Sequence, residues 1–575
     1  MTSSEERDFR VMHLYEQLLE IEQRLIPTGL HVFGRPSQAG ERADMLKMIA
    51  SFARPEAGTR ALAELVAEGL GLGWDQKHGV LPYLSEVERS ERERVDALVS
   101  EAIKRFDLSG VDAAVSALEQ DANVLPEQSR PVFALLERIS RQLETNDEMA
   151  ALMRALRGEY IEPGPGADIV QNPAILPTGR NTHAINPYGV PSAVAFARAE
   201  GVTQKLLERF QAEHGRYPRS MALVLWGLDN IKTQGEGVAQ ALWLLGVRPV
   251  SDALNRITNV EPIPLAQLGR PRIDVVMTVS GIFRDLFSPT VHLLDKAVRL
   301  VANLDEPGDL NYVRRHVMEQ VTAENCGADE AMTRVFSNAP GNYGTNVNFM
   351  VMDSQWERED TLGDLFVIRK CFAYGRDSDG RTIEGVEART AMDRALTRVE
   401  ATYQNIDTFE IGITDVDHYF EYLGGISRAV ENRARRRPAI YLSDTLSNEP
   451  KIRSLAETVR LETRAKTLNP KWYEGMLKHG FRGVAEIESH VSNTFGWSAT
   501  ADAVDDWVYT ELAKTFVLDD AMLERLRHLN PHSVHALVSR LLEAQGRGYW
   551  DAQPEVLDQL REIISALEDQ LEGVA

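Results

Sequence analysis

The densest group of chemically capable side chains in the 575-residue sequence lies between Trp226 and Glu236. Trp226, Asp229, Asn230, Lys232, Thr233 and Glu236 bring an indole, two carboxylates, an amide, an ammonium and a hydroxyl into one short stretch. A purely structural reading makes Thr233 a helix N-cap with Glu236 completing a capping box. It leaves Trp226, Asp229 and Lys232 unexplained. The run Gly227 to Thr233 also imitates a phosphate loop, but Ile231 stands where the second glycine is required, and a branched side chain there blocks the amides from cradling phosphate. ATP use therefore calls for a partner.

A second loop, Ser280 to Asp285, carries Phe283, Arg284 and Asp285. Arg284 with Asp285 is readable as a surface ion pair, but two such loops at strand ends point to one crevice. A third segment, Gly179 to His183, sets Arg180, Asn181 and His183 on a chain stiffened by Pro177, Pro187 and Pro191. Nearer the C-terminus, Lys471 and Trp472, then His490, Asn493 and Trp497, combine polar groups with aromatic faces. That combination suits a flat, apolar ligand bearing carboxylates. His528, His532 and His535 are interrupted by Pro531 and lack the pattern of a metal-binding helix, so they are expected to face solvent.

The elements that must position these groups are legible in the periodicity. Met221–Trp226 and Ile273–Val279 are short apolar runs, each followed by a helical pattern, Gly237–Leu245 and Thr290–Leu304. Such alternation predicts parallel βαβ units. The expected fold is α/β with large all-α portions: a Rossmann-like domain over 193–345, a mixed region over 346–450, a helical N-terminal domain over 1–162 and a helical C-terminal domain over 451–575. Between them, residues 163–192 hold six prolines and four glycines and read as a loop or linker. Val11, Leu14, Tyr15, Leu18, Leu19 and Ile21 make the first helical stripe.

A net charge of −23, from 86 acidic and 63 basic residues, disfavours nucleic acid and anionic membranes as partners. Two cysteines build neither a disulfide framework nor a thiolate zinc site, which suits a reducing compartment. Neither an export signal nor an apolar run of spanning length is visible, so the cytoplasm is expected.

Five stretches, PTGRNTHAINPYGVPSA, ALVLWGLDNIKTQGEGVAQALWLLGVRPV, LGRPRIDVVMTVSGIFRDLF, LNPKWYEGMLKHGFRGVAEIESHVSNTFGWSAT and GRGYW, resemble the family of large, porphyrin-binding chelatase subunits. IEQRLIPTGLHVFG near the start belongs with them. The similarity is to the large, porphyrin-binding subunit of magnesium chelatase and to its relative in aerobic cobaltochelatase. ITDVDHYFEYLGGI and LVLWGLDNIKT lean toward the magnesium enzyme of (bacterio)chlorophyll biosynthesis. What the resemblance implies is ATP-dependent insertion of Mg²⁺ into protoporphyrin IX, with ATP hydrolysed by an AAA+ ATPase subunit working through an adaptor subunit. Family members carry a large N-terminal porphyrin-binding region ahead of the matched part, which would have to be supplied separately. Within this frame Glu236 and Asp229 are expected as transient Mg²⁺ ligands and catalytic groups, and His183 or His490 as proton acceptor. Arg180, Asn181, Trp226, Lys232, Phe283, Arg284, Asp285, Lys471, Trp472, Asn493 and Trp497 are expected to bind the porphyrin, and no tightly held cofactor is expected. The alternatives are a cobaltochelatase-type subunit and a non-catalytic porphyrin carrier or regulator.

Overall fold

The computed structural model describes residues 11, 14, 18, 21, 24, 26–54, 57–72, 86–166, 168–182, 185–254, 256–358, 360–446 and 450–574. Tyr15, Leu19 and His183 lie outside the described residues, while Val11, Leu14, Leu18 and Ile21 are helical. The chain divides into two units, one of Met1–Leu25 and His31–His183, the other of Ile26–Leu30 and Ala184–Ala575.

The first unit is helical. Ala39–Ala50, Leu62–Gly69, Glu86–Ala122 and Pro126–Glu144 bury one apolar face each around Leu46, Leu65, Phe106, Phe133 and Leu136, while a fifth helix, Glu148–Leu156, leaves most of its apolar residues exposed. The third of these breaks at Gly110, whose φ of +82° no helix accommodates. Proline opens the fourth, where its missing N–H costs nothing. The segment rich in proline and glycine is only briefly regular: Pro163–Gly164 pairs in parallel with Asn181–Thr182.

The second unit is built on an eight-stranded sheet. Its strands are β1 (Ser220–Leu225), β2 (Asp274–Val279), β3 (Val335–Ser337), β4 (Phe372–Arg376), β5 (Thr382–Glu387), β6 (Ala401–Ile406), β7 (Ala439–Asp444) and β8 (Lys451–Ser454). Their spatial order is β8-β7-β6-β1-β2-β3-β4-β5. The five strands from β7 to β3 are parallel, and the two edges turn antiparallel. Every residue of β1, β2 and β6 is buried, as both faces of a parallel sheet require. Alternate residues feed two cores. Met221, Leu223 and Leu225 join the layer of helices α1 (Ala193–His214), α3 (Glu236–Leu245) and α5 (Ser288–Ala302). Ala222 and Val224 face the other layer, which contains Trp472, Val491, Phe495 and Trp497. Full burial of one such aliphatic side chain contributes about 1.5–3 kcal/mol.

The fold class matches the α/β-plus-helical expectation, but the regional edges differ. One sheet runs across 345/346 and across 450/451, since β3 to β8 complete what β1 and β2 begin, and the C-terminal helices share the core of one sheet face. Local periodicity does not reveal which distant strands will pair.

Candidate functional site

In a parallel sheet the carboxyl ends of the strands gather at one edge. Here β1 leads to β2 on one side, whereas β6, its neighbour on the other, leads on to β7 in the opposite direction. The pair β6/β1 is therefore the switch point, where such sheets leave a crevice for ligand. Leaving β1, Trp226 reaches across and donates its indole N–H to Gln404 of β6 at 3.3 Å. Its ring packs on Tyr422 and Tyr419, with centroids 4.5 and 5.9 Å away.

The loop after β1 folds as the short helix α2 (Gly227–Lys232), a turn, and α3. Gly227 is needed because a Cβ there would lie 2.6 Å from Ile282 and 2.9 Å from the Phe283 nitrogen, so the loops after β1 and β2 touch. Gly227 N–H donates to the Ser280 hydroxyl at 3.1 Å. The Thr233 capping box is not formed. Gly235, at φ +92°, is the N-cap of α3, and the Thr233 hydroxyl donates to the Asp229 carbonyl while accepting from Glu236 N–H at 3.2 Å.

This arrangement frees the Glu236 carboxylate, which is 1% exposed and whose charged partner among the described residues is Arg198, 3.9 Å away. Its Oε1 makes no hydrogen bond there, and neither does Oδ1 of buried Asp229. From the end of β6 comes Asp407, which meets Lys232 at 2.9 Å. Burial pushes the Asp229 carboxyl well above the usual range, and the charges of Asp407 and Glu236 push it further, against Lys232 and a hydrogen bond from Asn405. Glu236 is raised as well, first by burial, with Arg198 opposing and Asp407 adding to it. Three carboxylates, Asp229, Glu236 and Asp407, with two cations, Lys232 and Arg198, thus surround the switch point. They have the donor chemistry for a hard divalent cation and for a carboxylate-bearing ligand.

The loop that continues from β6 carries a second polar group. Glu462 accepts from the N–H groups of Ile413 and Thr414 at 2.9 and 3.1 Å and from the Thr414 hydroxyl at 3.0 Å. Asp415 is held by Lys466 and lies 3.1 Å from Nε2 of His490. Burial alone would raise Asp415, but His490 and Lys466 hold it far below the usual carboxylate range. Lys466 sits in a π-helical turn, Thr463–Thr467, and Tyr419, on the same loop as Asp415, directly precedes another, Phe420–Gly424. The half-buried Tyr419 feels Asp407 and Asp229 from one group and Glu462 and Asp415 from the other, and desolvation, then these charges, push its phenol upward.

Several residues expected at the site are committed elsewhere. Phe283, 0% exposed, packs on Phe287 in the core, and Trp497 donates to the Ile413 carbonyl at 2.9 Å from a fully buried position. Trp472 is buried edge-on against His490, 4.4 Å between centroids. Arg284 holds Asp285 at 2.7 Å and spends Nη1 on the carbonyls of Asn338, Ala339 and Asn342. Asn493 donates to the Thr414 carbonyl at 2.8 Å, and Lys471 is exposed. Arg180 and Asn181 are exposed residues of the first unit. Among the C-terminal histidines His528 and His532 are exposed, while His535 lies 3.6 Å from Glu568. Asp407, Asp415, Tyr419, Glu462 and Lys466 escaped the sequence reading. ITDVDHYF, which holds two of them, is the signal that pointed there.

A sheet with a parallel core and a polar, carboxylate-rich switch point places the second unit in the doubly wound α/β class. Comparison with known proteins narrows this: the CobN/Magnesium Chelatase family matches residues 1–557, and the chain belongs to that family. It is 42% identical to the chloroplastic magnesium-chelatase subunit ChlH of Oryza sativa subsp. indica, over 99% of this chain and 43% of the relative. It is also 42% identical to the corresponding magnesium-chelatase subunit of Cereibacter sphaeroides, over 84% of this chain and 42% of the relative. Among solved structures, the catalytic subunit of cobaltochelatase from Mycobacterium tuberculosis superposes with a TM-score of 0.89 at 33% identity, covering 98% of this chain and 47% of that one. The chain thus spans less than half the length of these relatives. Among the described residues no helix is long and apolar enough to cross a membrane.

Proposed function

We propose that this chain carries the metal-insertion centre of a magnesium chelatase large subunit, acting on protoporphyrin IX with Mg²⁺ as the second substrate. The observation that carries the reading is the buried trio Asp229, Glu236 and Asp407 at the switch point, two of them with a carboxylate oxygen that lacks a hydrogen bond. Mg²⁺ surrenders its water reluctantly and takes oxygen ligands, so hard, partly dehydrated carboxylates match it. Insertion displaces two pyrrole protons, and a carboxyl raised by burial toward working pH is a fitting acceptor. Asp229 holds that role, Glu236 and Asp407 receive the ion, and Lys232 with Arg198 pairs the substrate's carboxylates. Half-buried Trp226 and Tyr419 supply aromatic surface, backed by the buried Tyr422 ring. His490, enclosed by Thr414, Asp415 and Trp472, suits holding rather than shuttling. ATP enters through the AAA+ ATPase and adaptor subunits.

Reconstitution with those two subunits tests the reading. Glu236→Gln, which removes a charged oxygen from the ion's receiving group, should lower Mg-porphyrin formation at least about tenfold, while quenching of porphyrin fluorescence, which reports binding, stays nearly unchanged. Unaltered turnover in the variant would remove Glu236 from the chemistry. Quenching without product in the unsubstituted protein would assign it a carrier role instead.

A further inference from the structure

On the long helix Phe481–Ala501, Glu486 and His490 stand one turn apart and so project from one face. Asp415 reaches the same point from the loop after β6. One carboxylate oxygen of each acid and a ring nitrogen of His490 all lie within 4.8 Å of one another.

The imidazole has its orientation dictated from behind. The only hydroxyl hydrogen of Thr414 goes to Glu462, so at the 3.1 Å contact between Thr414 Oγ1 and His490 Nδ1 the nitrogen is the donor. With the Nδ1 proton committed, Nε2 is the nitrogen left for an ion. It is fully buried and faces Asp415 Oδ1 at 3.1 Å, so in the metal-free protein the two groups pair, and a bound ion takes the place of the Nε2 proton between them. Metal-bound histidines are built this way, the far nitrogen donating to a fixed acceptor so that the near one faces the ion.

We propose that Asp415, Glu486 and His490 form a divalent-cation site, with Thr414 and Glu462 fixing the tautomer of its histidine. One imidazole and two carboxylates favour first-row ions such as Co²⁺, Zn²⁺ or Mn²⁺ over Mg²⁺, which prefers an all-oxygen shell. Two cations face the cluster: Lys466 on both oxygens of Asp415, and Arg482 on Glu486 at 2.9 Å. The Lys466 ammonium stands on the carboxylate the ion would share, so it competes with the metal and must move aside when one binds. The site shares no ligand with the Asp229 trio and does not depend on the chelatase reading.

The experiment is titration of the metal-stripped full chain with Co²⁺, followed by its visible ligand-field absorption, alongside calorimetry with Zn²⁺, Mn²⁺ and Mg²⁺. One equivalent of Co²⁺ should bind, with Mg²⁺ at least about tenfold weaker. Glu486→Gln, on a half-buried side chain, should weaken Co²⁺ at least about tenfold while leaving the melting temperature of the metal-free protein unchanged, and His490→Gln should also shift the Co²⁺ spectrum toward all-oxygen ligation. Lys466→Met should tighten binding. Co²⁺ affinity unchanged in Glu486→Gln, or Mg²⁺ bound more tightly than Co²⁺ by the unsubstituted chain, overturns the site.

Discussion

Two buried aspartates stand at opposite ends of the same pair of neighbouring strands and behave in opposite ways. Asp274 begins β2, at the amino edge of the sheet. It is 1% exposed and accepts from Arg334 at 2.9 and 3.1 Å and from His316 at 2.8 Å. Burial would raise its carboxyl, but Arg334 and His316 bring it down to about 2. Asp229 follows β1 at the carboxyl edge. It is 6% exposed, is surrounded by other acids, has one oxygen without a hydrogen bond, and is raised. The burial cost has been offset at the amino edge and left standing at the carboxyl edge. An unmet carboxylate is tolerated where a ligand is expected to complete it.

The sharpest way to break this contrast is to remove each acid in turn. Asp274→Ala leaves the Arg334 guanidinium buried without its counter-charge and should cost about 3–5 kcal/mol in chemical denaturation. A comparable loss in Asp229→Ala would erase the distinction between the edges. Acid titration of stability comes next in size. A carboxyl depressed in the folded state stabilises above its unfolded pKa of about 4, and that stability drains away as pH falls from about 4 through about 2. The unsubstituted protein should therefore lose about 2–3 kcal/mol over this window that Asp274→Asn does not. Asp229 has the reverse sign, since a raised carboxyl loses stability as pH rises through its folded pKa. Asp229→Asn should leave the neutral-pH melting temperature unchanged or raise stability by about 1 kcal/mol; a clear drop would mean that the charge is needed for folding. The smallest expected effect is none: calorimetry should detect no ATP binding to this chain alone. Around Ile231 the loop amides are already satisfied, Gly227 by Ser280, Thr233 by the Asp229 carbonyl and Val238 by Asn230.

How much of this could be read beforehand depends on how local the cause is. β1 and β2 announce themselves because their runs are apolar throughout, and the sequence expectation places both to within a residue. β6 reads Ala-Thr-Tyr-Gln-Asn-Ile, half of it polar, because its polar groups find buried partners: Thr402 with Ser427 at 2.7 Å, Tyr403 with Asn405 at 2.8 Å, Gln404 with Trp226. That pattern hides the strand, and with it Asp407. Trp472 and Trp497 are expected from sequence against a flat ligand, but composition cannot tell an aromatic that meets a ligand from one that fills a core. The Glu486 and His490 spacing is plain on its helix. The third group, Asp415, comes from a loop whose approach only the tertiary fold supplies.

The contact between Trp226 and Gln404 joins residues 178 positions apart. During synthesis on the ribosome, β1 and its acidic loop therefore emerge long before the strand that completes the switch point. Until residues 401–407 follow, Asp229 and Glu236 face water and have nothing to hold. The crevice cannot close before β6 is made, so a chain stalled ahead of it would be a partial sheet with an open edge, prone to pair with another copy.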